Sequence, residues 1–225
     1  MRRLIIHAGT HKTGTTTLQC FLDSNKRALR KGGILYPTSG RPKGLIKTGH
    51  HLLAWSLVDT RYVSNMLLDK NNEGLNRENW MNLRKEIDEW TGHTTLISSE
   101  DFEYISLSNA DFIRNLFSDH KIHVIMYFRK PTNYLKSLYA EFVRSGMFYG
   151  NIIEFIDYSI NFFQYYNKAN TWLDAGIDCV DVRHFDHIVK SETGLINDFV
   201  QLITPSLHVH ETDQKNSSPP INYRL

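Results

Sequence analysis

The sequence predicts an α/β fold, a doubly wound and mostly parallel sheet flanked by helices, on three observations. A short apolar run near the amino end stops at glycine and gives way to a helical pattern. Runs of β-branched and aromatic residues recur downstream. Helical periodicities separate those runs. The first unit is the clearest. "RLIIH" (residues 3–7) reads as a buried strand, Gly9 and Gly14 bound a loop, and Leu18, Phe21, Leu22, Ala28 and Leu29 then recur at helical spacing. Lys26, Arg27, Arg30 and Lys31 crowd the last turns of that helix, and Gly32-Gly33 ends it. "TTLISS" (94–99), "HVIMYFR" (123–129) and "CVDVRHF" (179–185) read as further strands. Helices are predicted over about 77–90, after Pro131, and over 152–160, 162–175 and 192–203. The stretch 36–51 reads as a long loop rich in glycine and basic residues.

The chain of 225 residues fits one domain with a sizeable core, spanning 1–225. A formal charge of +2 argues against a generally basic nucleic-acid binder, so any anion site must be local. Cys20 and Cys179 are far apart, without metal-type spacing, which fits a reducing compartment. No run resembles a signal segment or a membrane span, and the reading is a soluble, cytoplasmic protein. Neither a metal site nor an oligomeric state is indicated by these patterns.

The chemistry concentrates in "HAGTHKTGTTTLQ" (7–19). Gly9 and Gly14 have the spacing of the phosphate loop G-x-x-x-x-G-K-[ST], but Thr15 stands where the lysine belongs. The one lysine, Lys12, lies inside the loop. Amides at a glycine turn and a helix amino end hold phosphate oxygens wherever the lysine is, and Thr15, Thr16 and Thr17 add hydroxyls. The displaced lysine and the lack of an unambiguous magnesium ligand argue against a magnesium-dependent ATPase.

"THKTGTTTLQ" resembles the 5′-phosphosulfate loop of sulfotransferases that use 3′-phosphoadenosine 5′-phosphosulfate (PAPS). "YFRKPTNYLKS" resembles that family's second motif, a strand ending in arginine (Arg129) with a serine eight residues later (Ser137). The resemblance covers the amino-terminal loop and the middle of the chain. It implies a P-loop-like sheet and a soluble enzyme that moves a sulfuryl group from PAPS to a hydroxyl or amine, releasing PAP. The acceptor would be a carbohydrate, a glycolipid or another small molecule. It further implies that Thr10, His11, Lys12, Thr13, Gly14, Thr15, Thr16 and Thr17 hold the 5′ end of the donor. Arg129 and Ser137 would hold its 3′-phosphate, with Lys12 as the cation beside the breaking bond. Pro131 suits a first helical turn, and the arginine fork suits a phosphate dianion.

A base is needed for the acceptor proton. Glu100, at the carboxyl end of a predicted strand, is one candidate, and a helix cap is its bland alternative. His50 and His51, in the basic loop, are the others. The aromatic run 162–172 reads as core packing, and the segment 210–225 as a tail or a cofactor-closing loop through Lys215, Asn216 and Ser217. Two rival readings stay open: a nucleotide or small-molecule kinase on the same fold, and a catalytically inactive nucleotide-binding module.

Overall fold

A computed structural model describes residues 1–43, 48–58 and 76–203. Lys47 and the segment 210–225 lie outside the described residues.

Five strands form one sheet in the order β2-β3-β1-β4-β5, and every pairing is parallel. The strands are β1 (Arg2–His7), β2 (Ile34–Leu35), β3 (Thr94–Ser98), β4 (His120–Phe128) and β5 (Cys179–His184). β1 is central and reads as a continuous apolar run because helices cover both faces. Leu4 and Ile6 enter one core cluster with Trp80, Phe102 and Trp172, while Ile5 enters the other with Leu18, Tyr127 and Phe199. Full burial of each such side chain contributes on the order of 1.5–3 kcal/mol. Chain order reverses across β1: the strands before β4 lie on one side of it, and β4 and β5 on the other. Ligands of such sheets bind beyond the carboxyl ends at that switch.

The helices are α1 (Thr15–Ser24), α2 (Lys26–Lys31), α3 (His51–Trp55), α4 (Glu78–Asp88), α5 (Leu107–Leu116), α6 (Pro131–Arg144), α7 (Ile152–Ser159), α8 (Tyr165–Asp174), α9 (Phe185–Ile188) and α10 (Gly194–Ile203). Single-turn 3₁₀ segments cover Glu100–Tyr104 and Ile160–Phe163. The single helix expected from Thr15 to Lys31 is two, because Asn25 leaves helical geometry and its side-chain amide donates to Phe21 O at 2.8 Å. The helix expected over 162–175 begins only at Tyr165, after the 3₁₀ turn. α5 was not expected. It carries one cap, Ser106, and buries only Ala110 and Ile113, too sparse a stripe to stand out in the sequence. Among the described residues, no helix is long and apolar enough to cross a membrane.

Candidate functional site

The loop after β1 is shaped by its own threonines. Thr10 donates to Tyr127 O through its amide (3.0 Å) and its hydroxyl (3.0 Å), and Tyr127 N donates back to Gly9 O at 2.7 Å. Thr13 Oγ1 (2.5 Å) and Thr15 Oγ1 (3.3 Å) both donate to Thr10 O. These buried hydroxyls therefore fold the loop, whereas Thr16 and Thr17 are exposed at its rim. Gly9, at φ 79°, permits a close approach: a Cβ there would lie 2.8 Å from Glu100 Cα. Gly14, at φ 73°, turns the chain into α1 and places no side-chain cap there. The first helical bond runs from Leu18 N to Gly14 O, so the amides of Thr15, Thr16 and Thr17 have no acceptor within the helix. That is the ordinary construction of an anion site.

Lys12 adopts φ 61°, the left-handed region, which is uncommon outside glycine. Its ammonium reaches Glu141 Oε2 on α6 at 3.4 Å, and its carbonyl accepts from Arg129 Nη1 at 3.2 Å. Arg129 follows β4 directly. Its backbone carbonyl accepts from Tyr165 Oη at 2.9 Å, and its guanidinium stands 5.5 Å over Phe185. Asp186 organises the junction: it accepts from Lys130 N (2.6 Å) and Asn133 Nδ2 (2.8 Å), and lies 3.5 Å from Arg129 Nε. Asp186 thus meets Arg129 as a loose ion pair, and the buried Arg129 Nε makes no close hydrogen bond. Ser137 is half-buried on α6, one turn before Glu141 and therefore on the face that meets Lys12.

On the β3 side of the loop lies a chain of charges, buried except at His11. Lys168 on α8 donates to Glu103, whose side chain is fully buried; Glu103 also accepts from His11 Nδ1 and, at 3.2 Å, from His11 N. His11 Nε2 is 3.6 Å from Asp101 Oδ1. Asp101 Oδ2 accepts from His51 Nδ1 (3.0 Å), Trp55 Nε1 (2.9 Å) and Ser99 Oγ (3.2 Å). Burial alone would raise Glu103, but Lys168 and His11 bring it down to about 2. Burial alone would lower His11, yet Glu103 raises it to about 9, helped by Asp101 and Glu100. The same contest, won by Asp101 and Glu100, lifts His51 above its ordinary value, and His51 in turn helps hold Asp101 below its own.

The candidate bases have three different settings. His50 is fully buried: Nδ1 accepts from Ser98 N (3.1 Å) and Nε2 donates to Pro37 O (3.0 Å). Burial holds it neutral, at about 3, and neither nitrogen is left to take a proton from a substrate. The geometry thus gives His50 the work of a strut between β3 and the loop after β2. His51 opens α3 and has Nδ1 fixed by Asp101, which leaves Nε2 as its proton acceptor. Glu100 is half-buried in the 3₁₀ turn and accepts from Gln19 Nε2 at 3.0 Å; Ser99, not Glu100, caps that turn. The Gln19 amide and His51 Nε2 converge on Gly49, where an added Cβ would lie 2.8 Å from Gln19 Cδ and 2.6 Å from the ring nitrogen. Nothing local in the sequence marks Glu103, Asp101, Lys168 and Asp186 for these roles beyond the carboxylate cluster in "SEDFEY".

Metal-type side chains His123, Cys179 and Asp181 cluster toward the amino ends of β4 and β5, away from this loop. Both nitrogens of His123 are engaged there, by Arg3 and Asp181.

No protein-family model matches the chain, and no curated protein sequence matches it. Among solved structures, the chain is similar to the crystal structure of a sulfotransferase from Alicyclobacillus acidocaldarius, at 16% identity and a TM-score of 0.55. The match covers 90% of this chain and 81% of that one. At this identity the likeness is one of fold.

Proposed function

We propose that the chain is a PAPS-dependent sulfotransferase acting on a hydroxyl-bearing small molecule or carbohydrate. One observation carries the reading. The arginine that ends β4 and the loop that follows β1 meet across the switch point, through Arg129 Nη1 on Lys12 O at 3.2 Å. One nucleotide lying over that junction would reach both. The residues suit an anionic donor: helix amides without acceptors, exposed Thr16 and Thr17 hydroxyls, an ammonium with one half-exposed carboxylate partner, and a guanidinium nitrogen without a hydrogen bond.

The donor, when bound, supplies an S–O bond to break; the acceptor oxygen forms the new S–O bond and its proton must leave. In this reading the amides and hydroxyls of Thr15, Thr16 and Thr17 hold the 5′ end, and Arg129 with Ser137 holds the 3′-phosphate. Lys12 stabilises charge on the leaving oxygen. Thr10 and Thr13 act by shaping the loop, and Gly14 and His11 by fixing its ends. His51 Nε2 takes the acceptor proton, with Asp101 fixing the ring's tautomer and raising its basicity. Glu100, held by Gln19, lies in the same corner and faces the acceptor as a carboxylate.

Calorimetry with adenosine 3′,5′-bisphosphate against ATP plus magnesium tests the assignment. Preference for the bisphosphate, lost when Arg129→Ala removes the fork, is the expected result. Equal or tighter binding of ATP would favour a kinase instead. In a sulfation assay the acid limb of kcat/KM is expected above the ordinary histidine range, and Asp101→Asn is expected to move it down. An acid limb that Asp101→Asn leaves in place would overturn the assignment to His51.

A further inference from the structure

The two edges of the sheet are finished differently. β2, at one edge, is two residues long, and Ile34 and Leu35 are both buried. β5, at the other, is six residues long, and none of its residues is buried. Its neighbour β4 is buried at every position except Lys121, so exposure begins at the last strand and not before it. Among the described residues, no strand pairs with the outer side of β5 and no hydrogen bond reaches its outward backbone groups. A strand left in this state is a template for another strand.

Edges are ordinarily guarded by lysine or other charges, by proline or by a bulge. β5, "CVDVRH", has neither lysine nor proline, and its register with β4 is unbroken from Cys179 to His184. It does carry charges, but of opposite sign, one residue either side of Val182. Charges guard an edge when they meet their like across it. Here the spacing decides which partner fits.

Identical strands related by a two-fold axis pair antiparallel. Centred on Val182, such a pair sets Asp181 of each copy opposite Arg183 of the other, Val182 against Val182, and Val180 opposite His184. Directly opposed residues share a face, so the four charged groups lie together on the face towards α10, where Arg183 meets Asp198. Centred on Asp181 or on Arg183 instead, the pair would oppose two carboxylates or two guanidiniums. Both charged groups have capacity left. Asp181 accepts from His123 through Oδ2 (2.8 Å), and Arg183 donates to Asp198 through Nε (3.3 Å) and Nη2. Asp181 Oδ1 and Arg183 Nη1 make no hydrogen bond among the described residues, and each side chain is 38% exposed.

We propose that β5 is a self-association edge: two copies of this chain join through it, antiparallel and centred on Val182, so that their sheets become one. The pairing does not depend on the sulfotransferase reading. Sedimentation velocity across micromolar concentrations is expected to show a monomer–dimer equilibrium. Val182→Lys sets two ammoniums face to face at a position that is 51% exposed, and weakens association by roughly 10-fold. Asp181→Arg weakens it by opposing like charges, as does Arg183→Glu, and a mixture of those two variants restores a dimer because every opposed pair is again of opposite sign. Arg183→Glu also faces Asp198, so a second measurement stands apart from it. Val182→Cys in a Cys179→Ser background is expected to form an intermolecular disulfide on mild oxidation, because opposed β-carbons at the axis lie about 4.5–5.5 Å apart. Met81→Cys, comparably exposed on α4, is the control and stays monomeric.

A monomer at every concentration overturns the proposal. So does a dimer that Val182→Lys leaves intact, or a Val182→Cys chain that cross-links no faster than Met81→Cys, since the contact would then lie elsewhere. A dimer indifferent to Asp181→Arg overturns the register centred on Val182.

Discussion

The two flanks of the loop after β1 are built on opposite rules. On the β3 side, Lys168, Glu103, Asp101 and His51 are buried and half-exposed His11 bridges the two carboxylates, so that each charge meets an opposite one. On the β4 side, Lys12 and Arg129 are half-exposed, each with one loose carboxylate at 3.4–3.5 Å. Buried charges need close partners because desolvation is costly. Loosely partnered cations beside free helix amides are what an incoming anion requires. The contrast separates groups that hold the loop from groups that meet a ligand.

The largest test of that division is Lys168→Met. It strands the Glu103 carboxylate beside His11 alone, and loss of about 3–5 kcal/mol of folding stability is expected, read by urea or thermal unfolding. A change under about 1 kcal/mol would place Lys168 with the ligand-facing cations instead. Lys12→Ala should do the reverse. Turnover is expected to fall ~10²–10³-fold in a sulfation assay, with unfolding unchanged and the bisphosphate still bound. Normal turnover in that variant would dissolve the distinction.

A third effect is in pH. His7 and His50 stay neutral down to about 3, held there by burial, so below pH 6.5 the unfolded chain takes up protons that the folded one refuses. His11 keeps its proton to about 9, so above pH 6.5 the folded chain holds a proton that the unfolded one releases. Stability is therefore expected to peak near pH 6.5 and decline on both sides, by at most ~1.4 kcal/mol per unit for each group. Melts at pH 4.5, 6.5 and 8.5 check this, and a monotonic trend would contradict it. Of the three, His11 belongs to the paired flank, so the alkaline limb of the profile tests that side of the contrast.

The same division marks what could be read in advance. The glycine spacing, the misplaced lysine and the strand-closing Arg129 are local patterns, and the strands they end are continuous apolar runs, so fold class and loop were visible. The pairing of Glu103 with Lys168 spans 65 positions and joins two helices of ordinary composition, which leaves no local trace. His50 and His51 were indistinguishable as neighbours. The start of α3 rotates one into the backbone of β3 and the other onto Asp101, and only the tertiary structure supplies that rotation. α5 escaped for a similar reason, since two buried side chains are too few to set a period.

The left-handed backbone at Lys12 has a consequence for anyone who would stabilise this protein. A lysine held there costs on the order of 1 kcal/mol that glycine would avoid. Laboratory selection for heat resistance alone would drift toward glycine at position 12, and its winners would be robust proteins stripped of the ammonium on which the proposed chemistry turns.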